Sequence, residues 1–224
     1  MKKVLVTLFL ILFGSTYAYA AGFNIGVSGS LVNIEADGTE TEGGEKSSTS
    51  VEHVAGVPSI FAEIAINERI SFGIDYVPMD ADVSGKEHTR VDTEKSVTNT
   101  ATTANTLRTQ KVSADLQDHT TIYADIRLRG PFYVKAGLAQ VDLITNDSLE
   151  TGSKYPNETV NGKVLGFGFK KHEIGTRGIF KAEFTYTDYD DISLKSSVAR
   201  AGVTTNNKVE ADMDTFGVRL ALGF

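Results

Sequence analysis

Acidic and basic side chains alternate with apolar ones in several short segments of this chain. In "YADIRL" (123–128) Asp125 and Arg127 flank an isoleucine, and in "TFGVRLALGF" (215–224) a single arginine, Arg219, interrupts an apolar run. If such segments bury their charges, those charges must pair, because an isolated buried charge is very costly. The set consists of Glu63, Asp75, Asp125, Arg127, Lys135, Lys181, Glu183 and Arg219. Such a network could gate ions by exchanging partners; we favour the alternative, a static polar plug.

A second set of acids lies near the C terminus, in "YTDYDD" (186–191) and "EADMDT" (210–215). If the two segments pair, Asp188 faces Asp214 and Asp190 faces Asp212. Like charges opposite each other destabilise a hairpin, unless the strands splay or a cation lies between them. Oxygen ligands suit Ca²⁺ or Mg²⁺, so these four aspartates are a candidate cation site. A solvated, flared hairpin end is the simpler interpretation, and we favour it.

Nucleophilic catalysis has little support in the sequence. The histidines are His53, His88, His119 and His172, and "HTT" (119–121) offers only Thr121 where a serine nucleophile would be needed. Because no constellation of serine, histidine and acid can be singled out, we expect no enzymatic activity and no cofactor. Cysteine is absent, which excludes disulfides and thiolate metal sites.

These residues must be positioned by strands, because eight segments carry an apolar residue at every second position. No comparable helical period is found, so the predicted fold class is all-β. The segments lie at 23–31, 60–66, 70–76, 122–128, 132–138, 165–169, 180–186 and 216–224.

The opposite face of these segments carries glycines together with the charged set. In a soluble, lipocalin-like barrel that face would meet water, whereas in a membrane barrel it would fill a narrow lumen in which glycine makes room. Short connections alternate with long polar ones, as in outer-membrane barrels. The sequence therefore predicts an eight-stranded antiparallel up-and-down transmembrane β-barrel with long extracellular loops and short periplasmic turns. Aromatic girdles are expected from Phe23, Phe132, Phe169, Phe180 and Phe224 at one rim and from Tyr76, Tyr186 and Phe216 at the other.

The last segment, 216–224, indicates how deep Arg219 lies in the membrane and how the last two strands pair. It is long enough to cross a bilayer as a tilted strand, for which about 9–11 residues suffice. An arginine that faced lipid at mid-depth would cost roughly 2–4 kcal/mol, so Arg219 is expected in the lumen. Pairing Tyr186 with Phe216 at the outer rim then places Glu183 directly opposite Arg219.

The C-terminal alternation resembles the assembly signal of bacterial outer-membrane proteins, and the mature chain resembles the small eight-stranded outer-membrane barrels of the OmpA/OmpX type. The signal residues would be Phe216, Val218, Leu220, Leu222 and Phe224. The resemblance implies insertion by the outer-membrane assembly machinery. Membrane lipid and lipopolysaccharide are the expected surroundings, and we expect a monomer.

The first twenty residues combine a basic start, an apolar run and the ending Ala18-Tyr19-Ala20. This pattern predicts a secretory signal peptide at 1–20, followed by one barrel domain at 21–224. Loss of the two lysines at 2 and 3 changes the formal net charge from -7 to -9, which argues against nucleic acid as a partner.

The expected function is a structural or surface-interaction role in the outer membrane of a Gram-negative bacterium. The acidic loop 35–52 is predicted to be mobile and solvated. The arms 89–98 and 106–117 are predicted to extend their strands beyond the membrane, where an edge could bind an extracellular partner by strand addition; a disordered shield is the alternative. A narrow gated ion channel and an outer-membrane lipid A or phospholipid acyl enzyme are the alternative functions.

Overall fold

The computed structural model describes residues 22–42, 45–83, 88–94, 106–149, 153–174, 178–199 and 205–224. The predicted signal peptide lies outside these residues, as do parts of the connections predicted to be long. The strands are β1 (Phe23–Glu42), β2 (Glu45–Ala65), β3 (Ile70–Tyr76), β4 (Ala81–Asp82), β5 (His88–Glu94), β6 (Thr106–Arg127), β7 (Phe132–Leu149), β8 (Glu158–Ile174), β9 (Gly178–Tyr189), β10 (Ile192–Lys195) and β11 (Lys208–Gly223). Within the described ranges, no helix is long and apolar enough to cross a membrane.

Eight of these strands close into a ring of antiparallel neighbours. The order is β1-β2-β3-β6-β7-β8-β9-β11, and β11 pairs again with β1 along Gly26–Thr41. The short strands β4 and β5 continue the path of β3 along β6, and β10 continues the path of β9 along β11. The predicted eight-stranded up-and-down barrel is confirmed.

The two faces of the strands are oriented as the alternation predicts. Leu220 and Phe184 are 56% and 54% exposed on the outer surface, whereas Arg219 and Lys181 are 6% and 0% exposed in the lumen. Glycine makes room inside: a Cβ atom added at Gly73 would lie 2.3 Å from the ring of Tyr123. The apolar face therefore surrounds the barrel, and the charged face fills it.

One end of the barrel, here called the turn end, carries the two short turns 66–69 and 128–131 and the C-terminal residue Phe224. Phe224 exchanges both backbone hydrogen bonds with Ile25, at 3.0 Å each, so the last residue takes part in closing the ring. Phe132, Phe169 and Phe180 form a row of edge-to-face contacts, with ring centroids 6.1 and 6.5 Å apart. The predicted aromatic rim is thus in part a contiguous row.

The opposite end, here called the extended end, projects further than the sequence predicted. Strands β1, β2 and β6 have 20, 21 and 22 residues, about twice what a bilayer requires. Strand β5 pairs with β6 from His88 to Glu94, which confirms the predicted extension of these two arms within the described residues.

The expectation of a mobile loop at 35–52 is wrong, because β1 and β2 stay paired up to Glu42 and Glu45. Acidic composition suggested a solvated loop, but threonine and serine line the two strands and pair across them. Thr39 and Ser48 face each other, for example, and their hydroxyls are 2.9 Å apart. Such cross-strand pairs stabilise a hairpin even where no apolar face is available.

Candidate functional site

The lumen near the turn end is filled by a compact network of charged side chains, which we call the plug. Its centre is Lys181, whose Nζ lies 2.7 Å from Asp125 Oδ2, 2.9 Å from Glu183 Oε1 and 3.0 Å from Glu63 Oε2. The other members are Asp75, Lys135, Lys170 and Arg219. Acids and bases are balanced at four each, so the plug is neutral as a whole.

Glu183 joins the centre of the plug to the strand β11. Arg219 Nη1 donates to Glu183 Oε2 at 2.6 Å, and its second amino group pairs with Asp75. Glu183 and Arg219 are direct partners in the β9–β11 register, as predicted from the Tyr186–Phe216 pairing. Lys135 and the hydroxyl of Tyr133 also donate to Glu183. Every carboxylate of the plug is therefore held by at least one cation.

The network in the structure differs from the predicted set at two positions. Arg127 is half-buried and lines a cavity at the turn end, but it takes no part in the ion pairs found among the described side chains. Lys170 falls in a predicted turn, yet it is buried and pairs with Glu63, and its Nζ is 3.1 Å from Ser71 Oγ. The sequence did indicate the position of Lys170. It lies two residues after Gly168, which is on the lumen face, so the alternation places Lys170 on the same face.

Above the plug, towards the extended end, the lumen becomes apolar. The change is visible within β7: Leu138 is 67% exposed on the outer face, whereas Ala139, Val141 and Leu143 are 3%, 0% and 6% exposed inside. The apolar residues thus move from the outer to the inner face of the same strand. The inner cluster, which we call the apolar compartment, comprises Ile34, Val83, Leu116, Ala139, Val141, Leu143, Tyr155, Val160, Val164, Tyr189, Ile192, Leu194 and Met213.

A cavity of about 130 Å³ lies where the compartment meets the plug. Its apolar wall includes Ile34, Leu116 and Val164, and Lys135 and Arg219 belong to its charged floor. Between wall and floor lie four threonine side chains, which we call the hydroxyl belt. The belt consists of Thr121, Thr185, Thr187 and Thr215.

The extended end of the compartment is covered by two connections that hydrogen-bond to each other. Ser197 N donates to the carbonyl of Lys154 at 2.7 Å, and Lys154 N donates to Ser197 Oγ at 3.0 Å. The hydroxyl of Tyr155 donates to Glu40 Oε1 at 2.8 Å. Burial, together with the carboxylate of Glu40, raises the pKa of Tyr155 well above its usual range, so this hydroxyl stays protonated and keeps donating. We call these hydrogen-bonded segments at the extended end, 153–155 and 196–198, the roof.

No family model and no curated protein sequence matches the chain. Similar solved structures include the outer membrane protein OprG from Pseudomonas aeruginosa, with 14% identity, a TM-score of 0.52, and 91% of this chain and 95% of that chain covered. The fold is that of the small outer-membrane β-barrels. Another similar structure is the outer membrane protein AlkL in lipid bilayers, with 10% identity, a TM-score of 0.44, and 91% of this chain and 90% of that chain covered.

Among the described residues, the wall of this outer-membrane barrel fold has a gap beside the apolar compartment. Strand β2 pairs with β3 only along Ile60–Ala65. From Pro58 to Glu45, β2 has no partner strand on that side among the described residues. A second cavity of about 260 Å³ fills the space between 53–58 and 77–81. It shares Val57, Val77, Met79 and Ala81 with the cavity above the plug, so the compartment is adjacent to an opening in the barrel wall.

The structure does not bring the four aspartates of the candidate cation site together. Asp188 is the direct partner of Asp214, as predicted, but Asp212 is the partner of Asp37 in β1. The register moves by one residue between β9 and β10, and Asp190 lies in the break, where its backbone N–H donates to Asn161. Among the described residues, no group of three or more acids or histidines could hold a metal ion.

The remaining candidate residues have separate positions in the barrel. The five residues of the predicted assembly signal, from Phe216 to Phe224, all lie on the outer face, and their role in assembly stays a prediction. His119 lines the cavity above the plug, next to a β-bulge at Asp118, whose φ is 52°. His53 lies at the gap, and Thr121 belongs to the hydroxyl belt. The side chains of His88 and His172 lie outside the described residues.

Proposed function

We propose that the chain is an outer-membrane β-barrel protein whose turn end faces the periplasm. The support is the outward apolar band and its end at Leu138, beyond which apolar side chains move inside. A strand in contact with lipid needs an apolar outer face, whereas a strand above the membrane needs an apolar inner one. Purified protein in detergent should migrate faster on a gel before boiling than after it. A band whose migration boiling leaves unchanged would contradict the membrane assignment.

The proposed activity of this barrel is the uptake of a small apolar molecule into the apolar compartment. The observation that carries it is an apolar space inside the barrel with an opening at its side. The plug fills the turn end, the roof covers the extended end, and the gap between β2 and 77–81 lies beside the compartment. A molecule dissolved in the outer leaflet or its interface could reach the compartment through this gap without crossing the plug.

Binding of fluorobenzene to the barrel in lipid nanodiscs, followed by ¹⁹F NMR, tests this function. Val164, 4% exposed, lines the cavity, and its neighbour Leu165, 63% exposed, faces outward on the same strand. We expect the wild type and Leu165→Phe to bind the probe, and Val164→Phe to lose binding because the larger ring fills the cavity. Empty nanodiscs correct for the probe that dissolves in lipid. Equal binding by the two variants would contradict the proposal.

A closed lumen is part of the same proposal. Balanced, directly paired charges favour a static plug over the gated ion channel considered from the sequence, because each member already has a partner at contact distance. Planar-bilayer recording should give no reproducible conductance steps for the wild type.

A surface-interaction role is the second candidate function. It is favoured by the edge of β2 from Glu45 to Pro58, which no other described strand pairs with. Such an edge can bind an extended segment of a partner by strand addition. Cells that express the barrel should adhere to immobilised extracellular-matrix proteins, and a variant lacking 38–49 at the hairpin tip should not. Equal adhesion by both would contradict this role.

The absence of enzymatic activity stays a prediction. Mass spectrometry of lipid A from cells with and without the barrel tests it, and unchanged acyl chains are the expected result.

A further inference from the structure

We infer that the preferred ligand of the apolar compartment is a neutral amphiphile about the size of one ring, with a single hydroxyl group directed at the plug. This inference rests on the proposed function and narrows it to a substrate class. It follows from the size of the cavity, from the order of polarity along its wall and from one unpartnered hydroxyl at its floor.

The size of the cavity limits the ligand. At about 130 Å³ it is slightly smaller than an engineered apolar cavity of about 150 Å³ in another protein, which stays dry and takes up benzene. A molecule with two fused rings or a long acyl chain would have to displace the wall or extend into the cavity at the gap. A single ring or a chain of similar volume fills the space and gains the contacts that an empty cavity lacks.

The order of polarity along the wall indicates an amphiphile. Ile34, Leu116 and Val164 line the cavity on the side of the extended end, and each is less than a tenth exposed. The hydroxyl belt follows, and the charged floor lies below it. A ligand with one hydroxyl group can hydrogen-bond to the belt, whereas a purely apolar ligand gains no hydrogen bond there.

Tyr123 gives the polar end of the ligand a specific partner. Its side chain lines the floor of the cavity and is 2% exposed, yet its hydroxyl has no hydrogen-bond partner among the described residues. Buried hydroxyl groups are nearly always paired with protein, water or ligand. A ligand hydroxyl can both donate and accept, so it could pair with Tyr123 and with the belt at once.

The charges of the floor argue against an ionised ligand. Four charged side chains line the cavity, Asp75, Lys135, Glu183 and Arg219, and they are paired with one another. A carboxylate or ammonium group entering the cavity would find no free countercharge there and would lose its hydration. A neutral hydroxyl avoids both penalties.

Three fluorinated probes in nanodiscs, compared by ¹⁹F NMR, test the inference: fluorobenzene, 4-fluorophenol and 4-fluorobenzoate. Tyr123→Phe removes only the unpartnered hydroxyl. It should weaken 4-fluorophenol binding about threefold to tenfold, which is the value of one net hydrogen bond, and leave fluorobenzene binding unchanged. Tyr186→Phe, on the outer face, should change neither. Thr187→Val, which removes one hydroxyl of the belt at nearly constant volume, should also weaken only 4-fluorophenol.

The outcomes separate the inference from the proposed function. If fluorobenzene binds and Val164→Phe abolishes its binding, while Tyr123→Phe and Thr187→Val leave 4-fluorophenol unaffected, the inference is overturned and the proposed function stands. Binding of 4-fluorobenzoate as tight as that of 4-fluorophenol would also overturn it. If none of the probes binds the folded wild type, both proposals fail.

Discussion

At the scale of the residue, the plug depends most on Lys181, because its ammonium group lies within 3.0 Å of three carboxylates. In Lys181→Met, the cations that remain near the Asp125 carboxylate are more distant. Lys170 Nζ lies 3.9 Å and Lys135 Nζ 4.0 Å from its oxygens. Removing one partner from a buried ion pair costs about 3–5 kcal/mol. We expect a loss of that order in the free energy of unfolding, measured by guanidinium denaturation in detergent with the gel shift as readout.

The matched control is Lys195→Met, because Lys195 is exposed on β10 and should change the free energy of unfolding little. The double variant Lys181→Met/Asp125→Asn should recover part of the stability, since it also removes the carboxylate left with the most distant cations. If Lys181→Met were as stable as Lys195→Met, the plug would contribute nothing to the fold.

Gly73 gives a second prediction at this scale, because Tyr123 lies directly over it. In Gly73→Ala the new methyl group would lie 2.3 Å from the ring, so the ring or the strand must move. Overpacking of this kind costs about 1–3 kcal/mol. Gly29→Ala is the control, since no atom lies within 4 Å of a Cβ there. In the same denaturation assay, Gly73→Ala should unfold at a clearly lower guanidinium concentration than Gly29→Ala. Equal midpoints would argue against tight packing of Tyr123.

Individual residues show how far sequence reasoning reached. The Glu183–Arg219 pair was predictable because two aromatic residues at one rim fix the register of β9 and β11. Lys170 escaped prediction because the apolar pattern of its strand ends at Phe169, although the lumen face continues one position further. The central position of Lys181 could not be predicted, because it depends on how side chains from several strands meet across the lumen.

At the scale of the element, the apolar residues of β7 change from the outer face to the inner face. This change explains why the apolar compartment was not predicted. After Leu138 the apolar residues move to the other face, so a search for one continuous alternation ends there and assigns the rest of the strand to a loop. The change has a physical cause. Outside the membrane a strand has water on its outer face and must bury its apolar side chains inward.

The gap in the barrel wall gives a prediction for β2. Ala55 lines the cavity at the gap but not the cavity above the plug. In Ala55→Phe the ring should narrow the route without filling the binding space. Both the association and the dissociation of fluorobenzene should slow, by at least about tenfold, while the dissociation constant changes little. ¹⁹F exchange spectroscopy measures both rates.

The control for the gap is Leu31→Phe, on the outer face of β1, where the side chain is already 65% exposed. Unchanged exchange rates in Ala55→Phe would show that the ligand takes another route, such as through the roof. A dissociation constant that rises while the rates stay fast would indicate that the substitution distorts the cavity instead.

At the scale of the whole molecule, the barrel holds two different barriers inside its lumen, below the roof. The plug opposes ions because every charge in it is already paired, and the apolar compartment opposes them because an apolar constriction does not stay wetted. The gated-channel hypothesis considers only the first barrier. Opening the plug alone should therefore not make the barrel conduct.

The presence of two successive barriers can be tested in planar bilayers. The double variant Lys135→Ala/Glu183→Ala removes one acid and one base from the plug and keeps it neutral. We expect it to be as silent as the wild type, because Val141 and Val164 still belong to the apolar compartment. Adding Val141→Thr and Val164→Thr, which keep side-chain volume but let water bind, should produce reproducible steps. Steps in the plug variant alone would show that the charged network is the only barrier, as a gated channel requires.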